Sequence, residues 1–369
     1  MKKRMMALLL AALTVLSLAG CSRHADRDVL NVYNWGEYIS DGSDGSFDTI
    51  QGFEDWYEKT YGREIEVNYT TYPSNEDMYN KIVNGAVSYD VIIPSDYMVD
   101  RMRTEGLLLP LDYGRIPNAQ YISSSFKRLY YDPSDLYSIP YTYGTVGIIY
   151  DAKQVDEADT GSWDLMWNEK YADNILQYNN SRDALGSAMY RLGIDINTTD
   201  RADWDRAAES LIEQRPLVKS YVMDEIFNMM ESGEAAIGSY YAGDYFTMLA
   251  AQSDDVDLRF YYPEPTNYFV DAMCIPTCAQ HKELAEIFIN YMLSEEAAIA
   301  NAEYISYASP NQLVYMNKDY RREMGEDAME ILYPDVQHFS ELYNKNAYRS
   351  LDTATLDYLN QVWETVKIN

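Results

Sequence analysis

The sequence predicts an α/β protein of two lobes joined by two extended crossovers. Three observations carry that expectation. The chain has 369 residues, above the roughly 250–300 at which one hydrophobic core stops growing. Strand and helix signals alternate three times between Val29 and Leu107, the pattern of a largely parallel sheet flanked by helices. Two β-rich stretches punctuated by Gly or Pro, Tyr137–Tyr150 and Asn267–Pro276, then interrupt the pattern where a chain could leave one lobe and return.

Taken in order, the chain opens with Lys2, Lys3 and Arg4 ahead of an apolar run from Met5 to Leu18. That run is too short to span a bilayer comfortably and reads as a targeting segment. It ends in Leu18-Ala19-Gly20-Cys21, which resembles the lipobox of bacterial lipoproteins, in which Cys21 is lipidated and becomes the new N-terminus. Residues 1–20 are therefore expected to leave as a signal peptide and 21–28 to form a tether. The protein would then be held by lipid on the outer side of the cytoplasmic membrane. Loss of the three leading cations takes the formal net charge from −30 to −33.

Val29–Tyr33 is a strand stopped by Asn34-Trp35-Gly36. Phe47, Ile50, Phe53 and Tyr57 lie on one face of a helix, with Ser46 as its expected N-cap and Gly62 as its stop. Ile65, Val67 and Tyr69 alternate as a strand, and Asn75 is the expected cap of a helix carrying Met78 and Ile82. Tyr89–Pro94 is a short apolar run, as in a strand buried on both faces. Met98, Met102 and Leu107 follow at near-helical spacing. Beyond the first crossover, helices are expected around Trp163–Trp167, Ser187–Leu192, Ala202–Glu213 and Met223–Ser232, and a strand at Ile237–Tyr241. Helices near Glu283–Leu293 and Glu295–Ala302 come after the second crossover. A last helix, roughly Leu351–Val366, presents Leu356, Leu359 and Trp363. The expected lobes are 29–142 with 270–315, and 143–269 with 316–369. Ligands in such sheets bind beyond the carboxyl ends of strands, which places Trp35 and Ser95 first in a cleft between the lobes.

Composition narrows the function. With 59 Asp+Glu against 29 Lys+Arg, nucleic acid and anionic membrane surfaces are poor partners, since both need clustered cations. Three cysteines exclude a disulfide scaffold and three histidines leave little for a metal site. Cys274 and Cys278 could be bonded or could be two buried thiols. No nucleophile elbow, zinc-protease helix, phosphate loop or calcium loop is present, so no catalysis, cofactor or metal is expected. What the sequence offers is rings and acids: 36 tyrosines beside the 59 carboxylates. Ring faces attract ammonium groups by about 0.5–2 kcal/mol each, so a cleft lined in this way suits an organic cation.

Five segments, in order, resemble the spermidine/putrescine-binding proteins of bacterial polyamine ABC transporters. They are Tyr33-Asn34-Trp35-Gly36-Glu37-Tyr38, Tyr72-x-Ser74-Asn75-Glu76-x-Met78-Tyr79, Tyr89-Asp90-Val91-Ile92-Ile93-Pro94-Ser95-x-Tyr97, Ser138-Ile139-Pro140-Tyr141 and Leu332-Tyr333-Pro334-Asp335. The resemblance implies a two-lobed fold of the periplasmic-binding-protein type II, a monomer that captures a polyamine and delivers it to ABC permease and ATPase subunits. It implies ligand contacts from Trp35, Glu37 and Tyr38 after the first strand and from Ser95 and Tyr97 after the buried one. In Asn180-Ser181-Arg182-Asp183 the family carries two acids; here only Asp183 is acidic, which favours putrescine over spermidine. Tyr241-Ala242-Gly243-Asp244 matches a Trp-Ala-Gly-Asp motif, with Tyr241 in place of the stacking ring and Asp244 as an ammonium partner. Phe269 would cover the alkyl chain while Asp271 grips an amine, and Tyr307 matches a further contact. The same architecture also admits a ferric-ion or other solute receptor, using paired phenols such as Tyr240-Tyr241, or a sensor module presenting its ligand to a receptor. An exported enzyme using Cys274 or Cys278 is the remaining alternative.

Overall fold

The computed structural model describes residues 27–85, 87–334 and 338–368; the expected leader and Cys21 lie outside them, as does Asp335. In the first lobe β1 (Asp28–Trp35) pairs in parallel with β2 (Ile65–Tyr72) on one side and β3 (Val91–Ile92) on the other. The crossovers are α1 (Thr49–Tyr61) and α2 (Asn75–Val83), and α3 (Asp96–Thr104) follows β3. Helix α1 buries Phe53 and Tyr57 and ends at Gly62, whose φ of 69° suits a residue without a Cβ. Its cap is Asp48, not Ser46: the Asp48 carboxylate accepts the Gln51 N–H at 2.9 Å. Helix α2 is capped by Ser74, whose hydroxyl accepts the Asp77 N–H at 3.1 Å. That leaves Asn75, expected as the cap, free for a buried role described below.

The first crossover is β4 (Ser138–Asp151), buried along its whole length. The second lobe holds β5 (Ile175–Tyr178), β6 (Val218–Val222), β7 (Ile237–Tyr241) and β8 (Leu258–Tyr261). Its helices are α4 (Ser181–Leu192), α5 (Arg201–Gln214), α6 (Glu225–Glu231) and α7 (Ala242–Ala251). The return crossover is β9 (Tyr268–Cys274). After it come α8 (Lys282–Met292), α9 (Glu295–Ile305), α10 (Gln312–Tyr315), α11 (Lys318–Met324), α12 (Glu326–Leu332), α13 (Phe339–Asn346) and α14 (Thr353–Ile368). The strand order β2-β1-β3-β9-β4-β7-β5-β6, with β8 also on β4, puts the two crossing strands at the middle. Ser138–Thr145 runs antiparallel to β9, and the rest of β4 pairs with β7 and β8.

Two hydrophobic cores sit on either side of that central pair. The first includes Tyr143 and Val270, and the second begins at Val146 on β4. The two-lobed α/β architecture with two strand crossovers is the one the sequence predicts. Residues 316–347 depart from the expected division. Tyr320, Leu332, Tyr333, Phe339 and Tyr343 belong to the first core, whereas Tyr348 and α14, through Leu359, Trp363 and Val366, belong to the second, against which Ile331 and Leu351 also pack. The reason is aromatic packing: the Phe339 ring lies 4.3 Å from Phe126 and 4.8 Å from Tyr143, both first-core residues. Cys274 and Cys278 are free thiols.

Candidate functional site: rings and carboxylates between the lobes

Most of these side chains come from the ends of elements, and Asp271 from the middle of β9. The turn after β1 brings Tyr38 inward, and β9 aims Asp271 from the return crossover. Tyr241 closes β7 and Asp244 lies in the first turn of α7. Asp183 sits in the first turn of α4, where the Asn180 side chain caps the helix by accepting the Asp183 N–H at 2.8 Å. Tyr307 follows α9.

These side chains form one continuous run. The ring of Tyr38 stands 5.2 Å from that of Tyr307, Tyr307 is 6.3 Å from Phe269, and Phe269 is 5.5 Å from Tyr241. All three pairs are steeply inclined, so ring edges meet ring faces. Each tyrosine along the run donates its hydroxyl to a different carboxylate. Tyr38 donates to Asp271 Oδ2 at 2.7 Å, Tyr307 to Asp244 Oδ2 at 2.9 Å, and Tyr241 to Asp183 Oδ2 at 2.8 Å. Two glycines make the rings fit. A Cβ on Gly144 would come within 2.7 Å of Phe269 Cζ, and one on Gly243 within 2.3 Å of Tyr307 Cδ2.

Burial sets the electrostatics. It pushes Asp271 up to about 6 and Asp244 up to about 7, and raises Asp183 as well, because the charged form loses water. The phenol hydroxyls oppose those shifts without cancelling them. Among the described residues no cation pairs with these three carboxylates. Arg182, beside Asp183 in sequence, favours its ionisation only modestly; its guanidinium is turned onto Tyr348 at 4.6 Å and Trp204 at 5.7 Å. Asp271 is 5% exposed, and its Oδ1 has no hydrogen-bond partner. Ser95 stands beside it in backbone register, and its hydroxyl favours the charged form. An unmet buried acceptor of this kind costs about 1–3 kcal/mol or more when charged. A donor carrying positive charge would meet this acceptor and offset the desolvation of the charged carboxylates.

The other expected residues are placed differently. Trp35 is half-buried against Tyr72, at 4.7 Å between centroids, and its indole N–H goes to the Ile93 carbonyl at 3.0 Å. Glu37 is exposed, on a backbone with φ of 51°. Tyr97 packs against both cores; its hydroxyl accepts from Asn75 at 3.0 Å and donates to Glu76 at 3.2 Å. Ser95 occupies the cap position of α3 without a side-chain cap bond. Tyr240 and Tyr241 diverge: Tyr240 turns to Asp224 at 3.3 Å, so the pair does not converge on one point.

Several contributors were not singled out from sequence. Thr142 shares the Tyr38 hydroxyl at 2.6 Å. Asn75 accepts the Ser95 N–H at 3.1 Å while donating to Tyr97, and Tyr348 supports Asp183. Asn75 and Glu76 lie inside a quoted motif, which was the available signal for them; nothing local marks Thr142 or Tyr348.

Residues 53–325 match the family of bacterial extracellular solute-binding proteins. The chain belongs to that family. Among its relatives, a spermidine/putrescine-binding periplasmic protein of Salmonella typhimurium is 32% identical over 337 residues, which cover 90% of this chain and 91% of the relative. The putrescine-binding periplasmic protein SpuD of Pseudomonas aeruginosa is 26% identical over 100% of this chain and 99% of its own. The solved structure of the spermidine/putrescine ABC transporter substrate-binding protein PotD from Streptococcus pneumoniae superposes with a TM-score of 0.74. It is 32% identical, over 92% of this chain and 99% of that one. This solute-binding protein therefore shares its architecture with relatives nearly end to end, and the ring-and-carboxylate run lies between its lobes.

Proposed function

We propose that this solute-binding protein captures a polyamine between its lobes and delivers it to an ABC importer. One observation carries the reading: three buried carboxylates, each tied to one ring of a continuous aromatic run, form no ion pair with a protein cation among the described residues. A slender diamine meets that demand. Its methylenes lie along Phe269, Tyr241 and Trp35, and its ammonium groups reach Asp271 and the Asp183–Asp244 side, with Tyr38, Ser95, Tyr97, Glu37 and Tyr307 completing the walls. Unit charges 4 Å apart interact by roughly 4 kcal/mol at an effective dielectric near 20, before desolvation is subtracted. The relatives' names, which specify spermidine or putrescine, support the same ligand class. Neutral Asn180, whose amide donates to Asp183 at 2.7 Å, supports putrescine over spermidine. The Leu18–Cys21 motif supports export and lipid anchoring, with permease and ATPase subunits as partners of a monomeric receptor.

Calorimetric titration of the mature protein with putrescine and with spermidine tests this. Saturable one-to-one binding of either amine is the expected result, tighter for putrescine. No binding of either at millimolar concentration refutes the ligand class, and a spermidine affinity well above that of putrescine refutes the preference.

A further inference from the structure

Behind the Asp271 seat lies a fourth carboxylate that none of the expected contacts includes. Asp96 is the first residue of α3 and is 1% exposed. Its Oδ1 accepts the Tyr97 N–H at 2.6 Å, and its Oδ2 accepts both the Val270 N–H at 3.1 Å and the Tyr343 hydroxyl at 2.7 Å. The local reason is the shortness of β3. Pro94 follows two residues after that strand ends, and its carbonyl takes the Ala272 N–H at 3.0 Å. The next donor along β9, at Val270, has no strand to meet, and the Asp96 side chain takes its place. Val270 lies between Phe269 and Asp271, Tyr97 follows Asp96 in sequence, and Tyr343 precedes the point between Ala347 and Tyr348 where the chain passes to the second core.

We propose that Asp96 is a positioning residue for the ammonium seat: its ionised carboxylate holds the backbone of Val270 and Tyr97 and the hydroxyl of Tyr343, and so sets where Phe269 and Asp271 stand. The inference rests on the polyamine reading of the cleft. The groups that couple to Asp96 are Asp271, Tyr343, Tyr130, Tyr131 and Tyr190. Cations stand behind the tyrosines: Arg103 donates to the Tyr131 carbonyl at 2.7 Å, Arg349 lies 5.3 Å from the Tyr130 ring, and Arg182 couples to Tyr130 and Tyr190; none of these three forms an ion pair with Asp96. Burial pushes Asp96 up to about 7, and the negative charge of Asp271 adds to that rise while the three donors oppose it. A cation arriving at Asp271 cancels the repulsion and draws the remaining proton off Asp96. By linkage, protonation of Asp96 weakens binding by the same factor.

Putrescine and spermidine are titrated calorimetrically into wild type and Asp96→Asn between about pH 5.5 and 8.5, in two buffers of different ionisation heat. The variant is expected to bind at least tenfold more weakly, and to release about half a proton less per amine near pH 7 than wild type. An Asp96→Asn affinity within twofold of wild type overturns the inference. So does a weakened affinity with unchanged proton release, since that outcome marks a merely structural role. Should that variant fail to fold, Tyr343→Phe decides. Losing one donor makes Asp96 easier to protonate, so the affinity profile moves to higher pH; a profile superimposable on wild type overturns the inference. Failure of wild type to bind either amine is a separate result, which overturns the polyamine reading and this inference with it.

Discussion

Replacing Asp271 by Asn separates a binding role from a structural one, because the two effects have opposite signs. The folded protein holds this carboxyl at about 6, against about 3.9 in an unfolded chain. A carboxyl raised by folding destabilises the native state wherever it is ionised: the penalty is complete above about pH 6 and gone below about pH 4, where both states are protonated. At about pH 7.5 the difference amounts to roughly 3 kcal/mol. The amide keeps an oxygen for the Tyr38 hydroxyl and removes the charge, but its own N–H groups need partners, which returns part of the gain. The ligand-free variant is therefore expected to be more stable than wild type by about 1–3 kcal/mol. Ligand binding moves the other way. Removing one partner of a desolvated charge pair costs about 2–5 kcal/mol, here held to about 2–4 because the amide oxygen still accepts one ammonium hydrogen, or roughly 30- to 1,000-fold in Kd. Calorimetry with putrescine and thermal unfolding without it measure both. A variant that binds putrescine within about threefold of wild type, or whose ligand-free Tm falls, refutes the reasoning.

Lowering the pH from about 8 to about 5 weakens putrescine binding progressively, since Asp244 and then Asp271 take up protons, at about 7 and about 6, while amines with pKa near 10 stay charged; a Kd constant across that range contradicts this. Gly243→Ala pushes a methyl into the Tyr307 ring and is expected to lose about 1–3 kcal/mol of stability, read by chemical unfolding, together with several-fold weaker binding, as Tyr307 is displaced from Asp244. Tyr307→Phe removes a hydroxyl bond to a charged acceptor, and Asp244 then protonates at higher pH, which a binding–pH profile records as an upward shift of its midpoint. Cys21→Ser moves the protein from the membrane fraction to the soluble one on cell fractionation; retention at the membrane excludes a lipid anchor at that position.

Much of this was legible in the residues. Alternating strand and helix signals between Val29 and Leu107 correspond to β1 through α3, and the β-rich runs at Tyr137–Tyr150 and Asn267–Pro276 to β4 and β9. Asp271 was named through the family resemblance, and its place inside an apolar crossover is where an unpartnered carboxylate is costly. What the sequence could not reveal were the partners themselves. Tyr38 and Asp271 lie 233 positions apart, and Tyr307 and Asp244 lie 63 apart, so their hydrogen bonds exist only through the fold. Capping failed for a different reason. Ser74 and Asn75 are both good caps, and only the buried demand of the Ser95 N–H and the Tyr97 hydroxyl decides between them. For residues 316–347, apolar spacing identifies a face that must be buried, but periodicity carries no information about which of two cores receives it.

On the proposed function, the carboxylates would make closure and capture one event. Asp271 belongs to a strand beside the first core, whereas Asp183 and Asp244 ride on α4 and α7 of the second lobe, and Asp244 is bonded to Tyr307 of the first. Bringing the lobes together without a ligand concentrates negative charge and strips its water, which is why burial raises all three groups. A ligand shifts such an equilibrium only by its preference for one state over the other. A dication has that preference built in, because the closed arrangement is where acids from both lobes surround it, and it removes the penalty that otherwise opposes closure. A monocation neutralises one end and leaves the other carboxylates desolvated, so it gains less from closing. If the proposed function holds, the receptor would select diamines over monoamines through the free energy of closure, and the contrast between putrescine and n-butylamine, equal in carbon chain and different by one charge, should exceed the strength of a single surface ion pair, which is about 0–1 kcal/mol.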